Sequence, residues 1–243
     1  MKAPRTLALA TALWVSAWCA GAFTLEPMAT LLAPSGAGSV ATFRIKNDGP
    51  DRVAIRLEVL ARSLSEDGKE VDDPSGELFA IYPSRLLIES GATAVAKVQW
   101  KGPQTLDAER PFRLLAEQVG IDPAPDASSG IKMRFRYLAS IYVGTNAFSA
   151  KLEAKVEAAT GPKGEKGFQV KLSNTGSRHV IDRDASVAIK GSGGQDITLS
   201  SEQLGELSGT NFLPGTSRQL FVPDESAEAD ASYDAQLEYS SEY

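Results

Sequence analysis

From Ser39 onward this chain sets apolar residues at every second position, and that period constrains the fold more than any other feature. In Ser39–Lys46, Ala41, Phe43 and Ile45 share one face, and Val40, Thr42 and Arg44 share the other. Val53, Ile55, Leu57, Val59 and Ala61 alternate with Arg52, Arg56, Glu58 and Arg62. Ala94, Ala96, Val98 and Trp100 alternate with Val95, Lys97 and Gln99. A period of two is the mark of a strand with one buried face. A slip of one residue would turn every apolar side chain to water, so the pattern also fixes register. Turns punctuate the runs at Asn47-Asp48-Gly49-Pro50 and Glu89-Ser90-Gly91, where Asn, Asp and Gly accept left-handed dihedrals and Pro stops the ladder. The polar stretch from Asp67 to Gly76 reads as a loop.

About seven short strands precede Gly144, the spacing of an antiparallel β-sandwich. Gly144-Thr145-Asn146 reads as a hinge. Beyond it, Phe148–Val156, Gly167–Leu172, Ser186–Lys190, Arg218–Val222 and Tyr233–Tyr239 form a second, smaller sandwich. The collagen-like Gly161-Pro162-Lys163-Gly164-Glu165-Lys166-Gly167 holds only two triplets, too few for a triple helix, and reads as a hairpin loop. The class is all-β. The divisions are a signal peptide at 1–22, a first domain at 23–144 and a second at 145–243.

The signal peptide is read from Lys2 and Arg5, the apolar run from Leu7 to about Ala20, and the small-x-small cleavage site Ala20-Gly21-Ala22. The run is shorter than a membrane span requires. The exported chain is therefore expected in the periplasm, with no membrane insertion of its mature part. Cleavage after Ala22 removes Cys19, the only cysteine, so no disulfide supports the fold. The net charge of −6 gives no electrostatic footprint for nucleic acid.

Catalysis has little to work with. His179 is the sole histidine and sits in a turn-like Asn-Thr-Gly-Ser-Arg-His run, read as a surface or turn residue. Without cysteines there is no Cys–His pair, and zinc normally takes several His or Cys ligands. The expectation is a protein that is not an enzyme and has no metal or cofactor.

The most informative segment is Ile131–Val143. Ile131, Met133, Phe135 and Tyr137 form an apolar row, and Lys132, Arg134 and Arg136 form the opposite row. One reading is an ordinary edge strand with its apolar side on its own core. The other is a row offered to a partner by strand addition, where main-chain bonds give affinity and alternate side chains fill pockets. The basic row would discourage self-pairing, although an exposed apolar row also allows weak self-association.

The ordered set of segments resembles the periplasmic chaperones of the chaperone–usher pilus pathway, in particular the archaic branch. It comprises Phe23–Pro27, Leu32–Gly36, Phe43–Asn47, Ile81–Pro83, Leu86–Ile88, Pro111–Glu117, Phe135–Leu138 and Ile141–Val143, with a looser match at Leu172–Gly176 and Leu213–Gly215. The resemblance implies two immunoglobulin-like β-sandwich domains set at an angle, with an interdomain cleft. It implies binding of pilus subunits by donor-strand complementation and delivery to an outer-membrane usher. The donated side chains would be Ile131, Met133, Phe135 and Tyr137. Classical members of that family anchor the subunit's C-terminal carboxylate with an Arg in the first strand and a Lys late in the donor strand. Here Phe23–Leu32 has neither, and the Lys position falls at Ala139 or Ser140. Arg113, Arg134 and Arg136 are the candidates for that contact. A secreted immunoglobulin-like structural or adhesive surface protein stays open as the alternative.

Overall fold

The computed structural model describes residues 23–65, 68–120, 134–205, 207 and 209–242. The signal-peptide expectation, with Cys19, and the donor-row residues Ile131 and Met133 lie outside them.

The first half is built from β1 (Phe23–Glu26), β2 (Ala29–Leu32), β3 (Val40–Asn47), β4 (Val53–Leu64), β5 (Glu70–Pro74), β6 (Phe79–Tyr82), β7 (Arg85–Ile88), β8 (Thr93–Trp100), β9 (Arg110–Val119) and β10 (Arg136–Val143). They form two sheets, β1-β3-β8-β6 and β2-β10-β9-β4-β5, with β7 also on β4. The second half comprises β11 (Leu152–Thr160), β12 (Lys166–Asn174), β13 (Val180–Gly191), β14 (Asp196–Leu199), β15 (Asn211–Phe212), β16 (Ser217–Pro223) and β17 (Tyr233–Glu242). Its sheets are β11-β12-β16 and β14-β13-β15, with β17 on β13. The all-β, two-sandwich architecture expected from the alternation is present. Among the described residues no helix is long and apolar enough to cross a membrane.

The inward rows are those the period of two picks out. Phe43, Ile45, Ile55, Val59, Val98 and Phe112 are at most 1% exposed in the first core. Phe79, Trp100 and Phe112 meet edge-on or tilted at centroid distances of 4.9–5.6 Å, the geometry ring quadrupoles favour. Phe168, Val170, Leu172, Val187 and Ile189 fill the second core. Each such side chain contributes roughly 1.5–3 kcal/mol by leaving water.

One turn is used twice. Asn47, 2% exposed, donates to the carbonyls of Asp51 (2.7 Å) and Ile88 (3.0 Å) and accepts from the Gly49 N–H (2.9 Å). Asn174, 1% exposed, donates to the carbonyls of Arg178 (2.8 Å) and Phe212 (3.0 Å) and accepts from the Gly176 N–H (3.0 Å). In each sandwich an Asn-x-Gly ends a strand, and the amide pins the turn to a distant strand.

Some segments depart from the sequence expectation. The stretch read as a loop through Gly76 contains β5, which pairs with β4 from Leu60↔Pro74 to Leu64↔Glu70. Its residues, Glu-Val-Asp-Asp-Pro, carry no apolar alternation; backbone pairing and the ion pairs of Glu70 hold them. The strand expected from Ile131 is regular only from Arg136. The first strand of the second half starts at Leu152 rather than Phe148, and β14 and β15 are short strands between the expected ones. The collagen-like segment is a hairpin loop, closed by Thr160↔Lys166 and by the Gly161 N–H donating to the Glu165 carbonyl (2.8 Å).

Asp182 breaks the apolar rule in the second core. It shares the inward row of β13 with Val180, is wholly buried, and neither carboxylate oxygen has a hydrogen-bond partner. Burial, and then the charge of Asp184, push its carboxyl up to about 6. A raised carboxyl stabilises the fold fully below the unfolded value near 4, and that contribution is lost as pH rises through about 6. Asp182→Asn should therefore raise stability at pH 7.5 by up to about 3 kcal/mol and change little at pH 4. Denaturant unfolding at the two pH values checks this. Equal shifts at both would show that the charge is not the cause.

Candidate functional site

β10 has different neighbours along its two sides. On one side β9 pairs with it throughout, from Arg136↔Glu117 to Val143↔Arg110. On the other side β2 runs parallel to it, only from Ser140↔Ala29 to Val143↔Leu32. The Phe135 carbonyl accepts from the Gln118 N–H on β9, so odd-numbered backbone groups face β9. The N–H groups of Ser140 and Gly144 donate to the Met28 and Leu32 carbonyls, so even-numbered groups face the β2 side. It follows that the N–H and C=O of Arg136 and Leu138 point to an edge where, among the described residues, no strand pairs.

The side chains split by the same parity. Ala139, Ile141 and Val143 are fully buried in the first core. Phe135 and Tyr137 continue that row and are half-buried against the core, and Tyr137 meets Phe23 edge-on at 4.8 Å. The free fold thus already partly covers these two members of the apolar row with its own core. Leu138 lies on the other face and is 37% exposed.

That outer face carries the arginines, at two separate places. At its free end the cross-strand register sets Arg85, Arg56, Glu117 and Arg136 in one row. The Glu117 carboxylate accepts from Arg56 at 2.7 Å and lies 3.6 Å from Arg136. Arg134 and Arg85 line the same shallow pocket. Nearer the second sandwich, Arg113 donates both to Glu70 (2.5 and 2.9 Å) and to the Ser140 hydroxyl (2.6 Å). Arg62 joins Glu70 at 3.1 Å. Burial pushes the Glu70 carboxyl up, but the hydrogen bond from Arg113 and the charge of Arg62 outweigh it and hold the group below the usual carboxylate range. The bond to Glu70 raises the Arg113 guanidinium. The structure therefore separates Arg113 from Arg134 and Arg136, and puts Arg113 beside Ser140.

The seam between the sandwiches is built from groups the sequence left unconnected. His179 is 8% exposed, not a surface histidine; its Nδ1 lies 2.5 Å from Oε1 of the buried Glu109. The Tyr142 ring stacks on the imidazole at 3.7 Å and 5°. Asn211 donates to the Tyr142 hydroxyl (2.6 Å), and Arg62 reaches it at 3.4 Å. Arg218 reaches across to the Gly68 carbonyl (3.4 Å); burial, and then the charge of Arg62, lower its guanidinium. β10 therefore runs from the open edge at Arg136 into this seam at Tyr142. Glu109 and His179 lie seventy positions apart in an alternation that marks neither.

No family model matches the chain, and no curated protein sequence matches it. Solved structures do. A chain of the CsuC–CsuE chaperone–tip adhesion subunit pre-assembly complex, from the archaic chaperone–usher Csu pili of Acinetobacter baumannii, superposes with a TM-score of 0.57 at 12% identity, over 88% of this chain and 97% of that one. The class 5 fimbriae chaperone CfaA gives 0.54 at 14% identity, over 89% and 98%. The Escherichia coli chaperone DraB gives 0.53 at 16% identity, over 91% and 97%. The two sandwiches, their order and their extent are thus the fold of the fimbrial chaperones.

Proposed function

We propose that this chain is a periplasmic chaperone that binds pilus subunits by lending them the edge of β10 and delivers them to an outer-membrane usher. The observation that carries the reading is the open edge at Arg136 and Leu138, on a strand that is paired everywhere else. A subunit short of one strand exposes a groove of apolar surface and unpaired backbone. Strand addition at this edge satisfies the backbone, and the row Ile131, Met133, Phe135 and Tyr137 supplies apolar side chains. Arg113, set beside Ser140, takes the part of the missing basic pair and meets the subunit's terminal carboxylate in exchange for Glu70, while Arg134 and Arg136 act at the far end. The donor segment belongs to a domain spanning 23–144, with 145–243 as the second. The 1–22 segment exports the chain.

The test is affinity capture from periplasmic extract of the native host, with mass spectrometry of what co-purifies. The expected result is a stoichiometric, β-rich, secreted partner that is lost in Phe135→Asp. Because Phe135 touches the first core, the variant's melting curve is measured alongside. Loss of partner with the fold intact supports the reading. A partnerless protein found on the cell surface favours the structural or adhesive alternative.

A further inference from the structure

The free end of β10's outer face is unusually basic for this chain. Arg56, Arg85, Arg134 and Arg136 gather around Glu117, with Glu58 3.9 Å from Arg56 as the other carboxylate, on a protein whose net charge is −6. Glu117 is shared between Arg56 and Arg136, and among the described residues Arg85 and Arg134 have no carboxylate within ion-pair distance. Arg136 stands on the strand whose neighbouring place is open, and Arg134 lies two residues before it. A strand added there would set its outer-face side chains about 5 Å from those of β10 when directly opposite, and about 7 Å away on the diagonal. That is within reach of an arginine, and opposite charges in such pairs stabilise while like charges oppose pairing.

We infer that the strand adding beside β10 carries carboxylate side chains on the face it shares with Arg134 and Arg136. The inference rests on the strand-addition reading above and names the chemistry of the partner. The guanidiniums act as a selectivity filter. They raise the on-rate and affinity for acidic strands and reject basic ones, because a second cation would sit in an uncompensated positive field. A protective role alone, keeping every other strand away, predicts the opposite preference for charge-neutral partners.

The experiment uses the exported chain and three twelve-residue extended peptides with identical apolar residues at alternate positions. The intervening positions hold Glu, Gln or Lys. Binding is read by fluorescence anisotropy at low and at high salt. The Glu peptide should bind roughly tenfold tighter than the Gln peptide at low salt, and the Lys peptide weakest. The Glu advantage should shrink at high salt, where exposed charges are screened. In Arg85→Gln/Arg134→Gln, which breaks none of the ion pairs above, the ratio of Glu-peptide to Gln-peptide affinity should fall severalfold. Equal binding of the Glu and Gln peptides overturns the charge inference and leaves strand addition standing. Failure of all three to bind overturns both.

Discussion

A Leu138→Pro variant should melt within a few degrees of the parent protein and lose its client by at least about a hundredfold, because proline removes one N–H and that N–H points outward. The argument rests on parity. Phe135 bonds to β9 and Ser140 bonds to the β2 side, so Leu138 faces the open edge. Proline is tolerated on an edge strand when its missing donor faces away from the ladder. A strand arriving beside β10 would meet the pyrrolidine ring where it needs a donor. Tyr137→Pro is the matched control. Its N–H faces β9, so the same change one residue earlier should cost about 3 kcal/mol or more and damage the fold. Affinity capture with each variant, paired with thermal melts, reads both outcomes. Client binding retained in Leu138→Pro would remove the edge of β10 from the mechanism.

The largest stability effects are expected at the two repeated asparagines. Asn47→Ala strips two donors and one acceptor from a site that is 2% exposed, leaving the Asp51 and Ile88 carbonyls and the Gly49 N–H each short of one bond. At about 1 kcal/mol for each bond, and more for groups stranded in the interior, the cost is about 3 kcal/mol. In a sandwich of this size that lowers the melting temperature by roughly 15 °C. Asn174→Ala should do the same to the second sandwich. Asp at either position keeps the acceptor and loses the donors, so its cost should fall between those of Asn and Ala. Calorimetry resolves the two sandwiches if each substitution moves its own transition. A loss below about 1 kcal/mol in both would show that water replaces the amide without penalty.

The legible part of the fold was the part governed by burial. Phe43, Ile55, Val98 and Phe112 announced their strands because one face of each strand must leave water, and the turns at Asn47 and Asn174 were visible in residue type. What the asparagine amides bond to was not visible, since Ile88 and Phe212 lie some forty positions away. β5 stayed hidden because main-chain pairing and the ion pairs of Glu70 hold its polar residues, and neither leaves an apolar alternation. At the candidate site, β10 and the arginines Arg113, Arg134 and Arg136 could be singled out from sequence as candidates. That Arg113 sits apart from the other two, tied to Glu70 and Ser140, depends on cross-strand register. Arg62 and the Glu109–His179 pair were missed, because each makes its contact across sheets or across the seam and no local pattern marks it.

Among the described residues, the open edge between Glu117's partner Arg136 and the first β2 contact at Ser140 offers the N–H and C=O of Arg136 and Leu138, and so four backbone bonds. At about 1 kcal/mol net apiece they supply roughly 4 kcal/mol before the cost of association, so the backbone alone holds a strand no better than about millimolar. At cellular concentrations so weak a hold would leave nearly every passing strand unbound. Only a partner whose side chains also fit stays long enough to count. The backbone at Arg136 and Leu138 thus acts as a threshold: by itself it keeps the protein from trapping any unfolded chain that drifts by, and it leaves discrimination to the side chains around it.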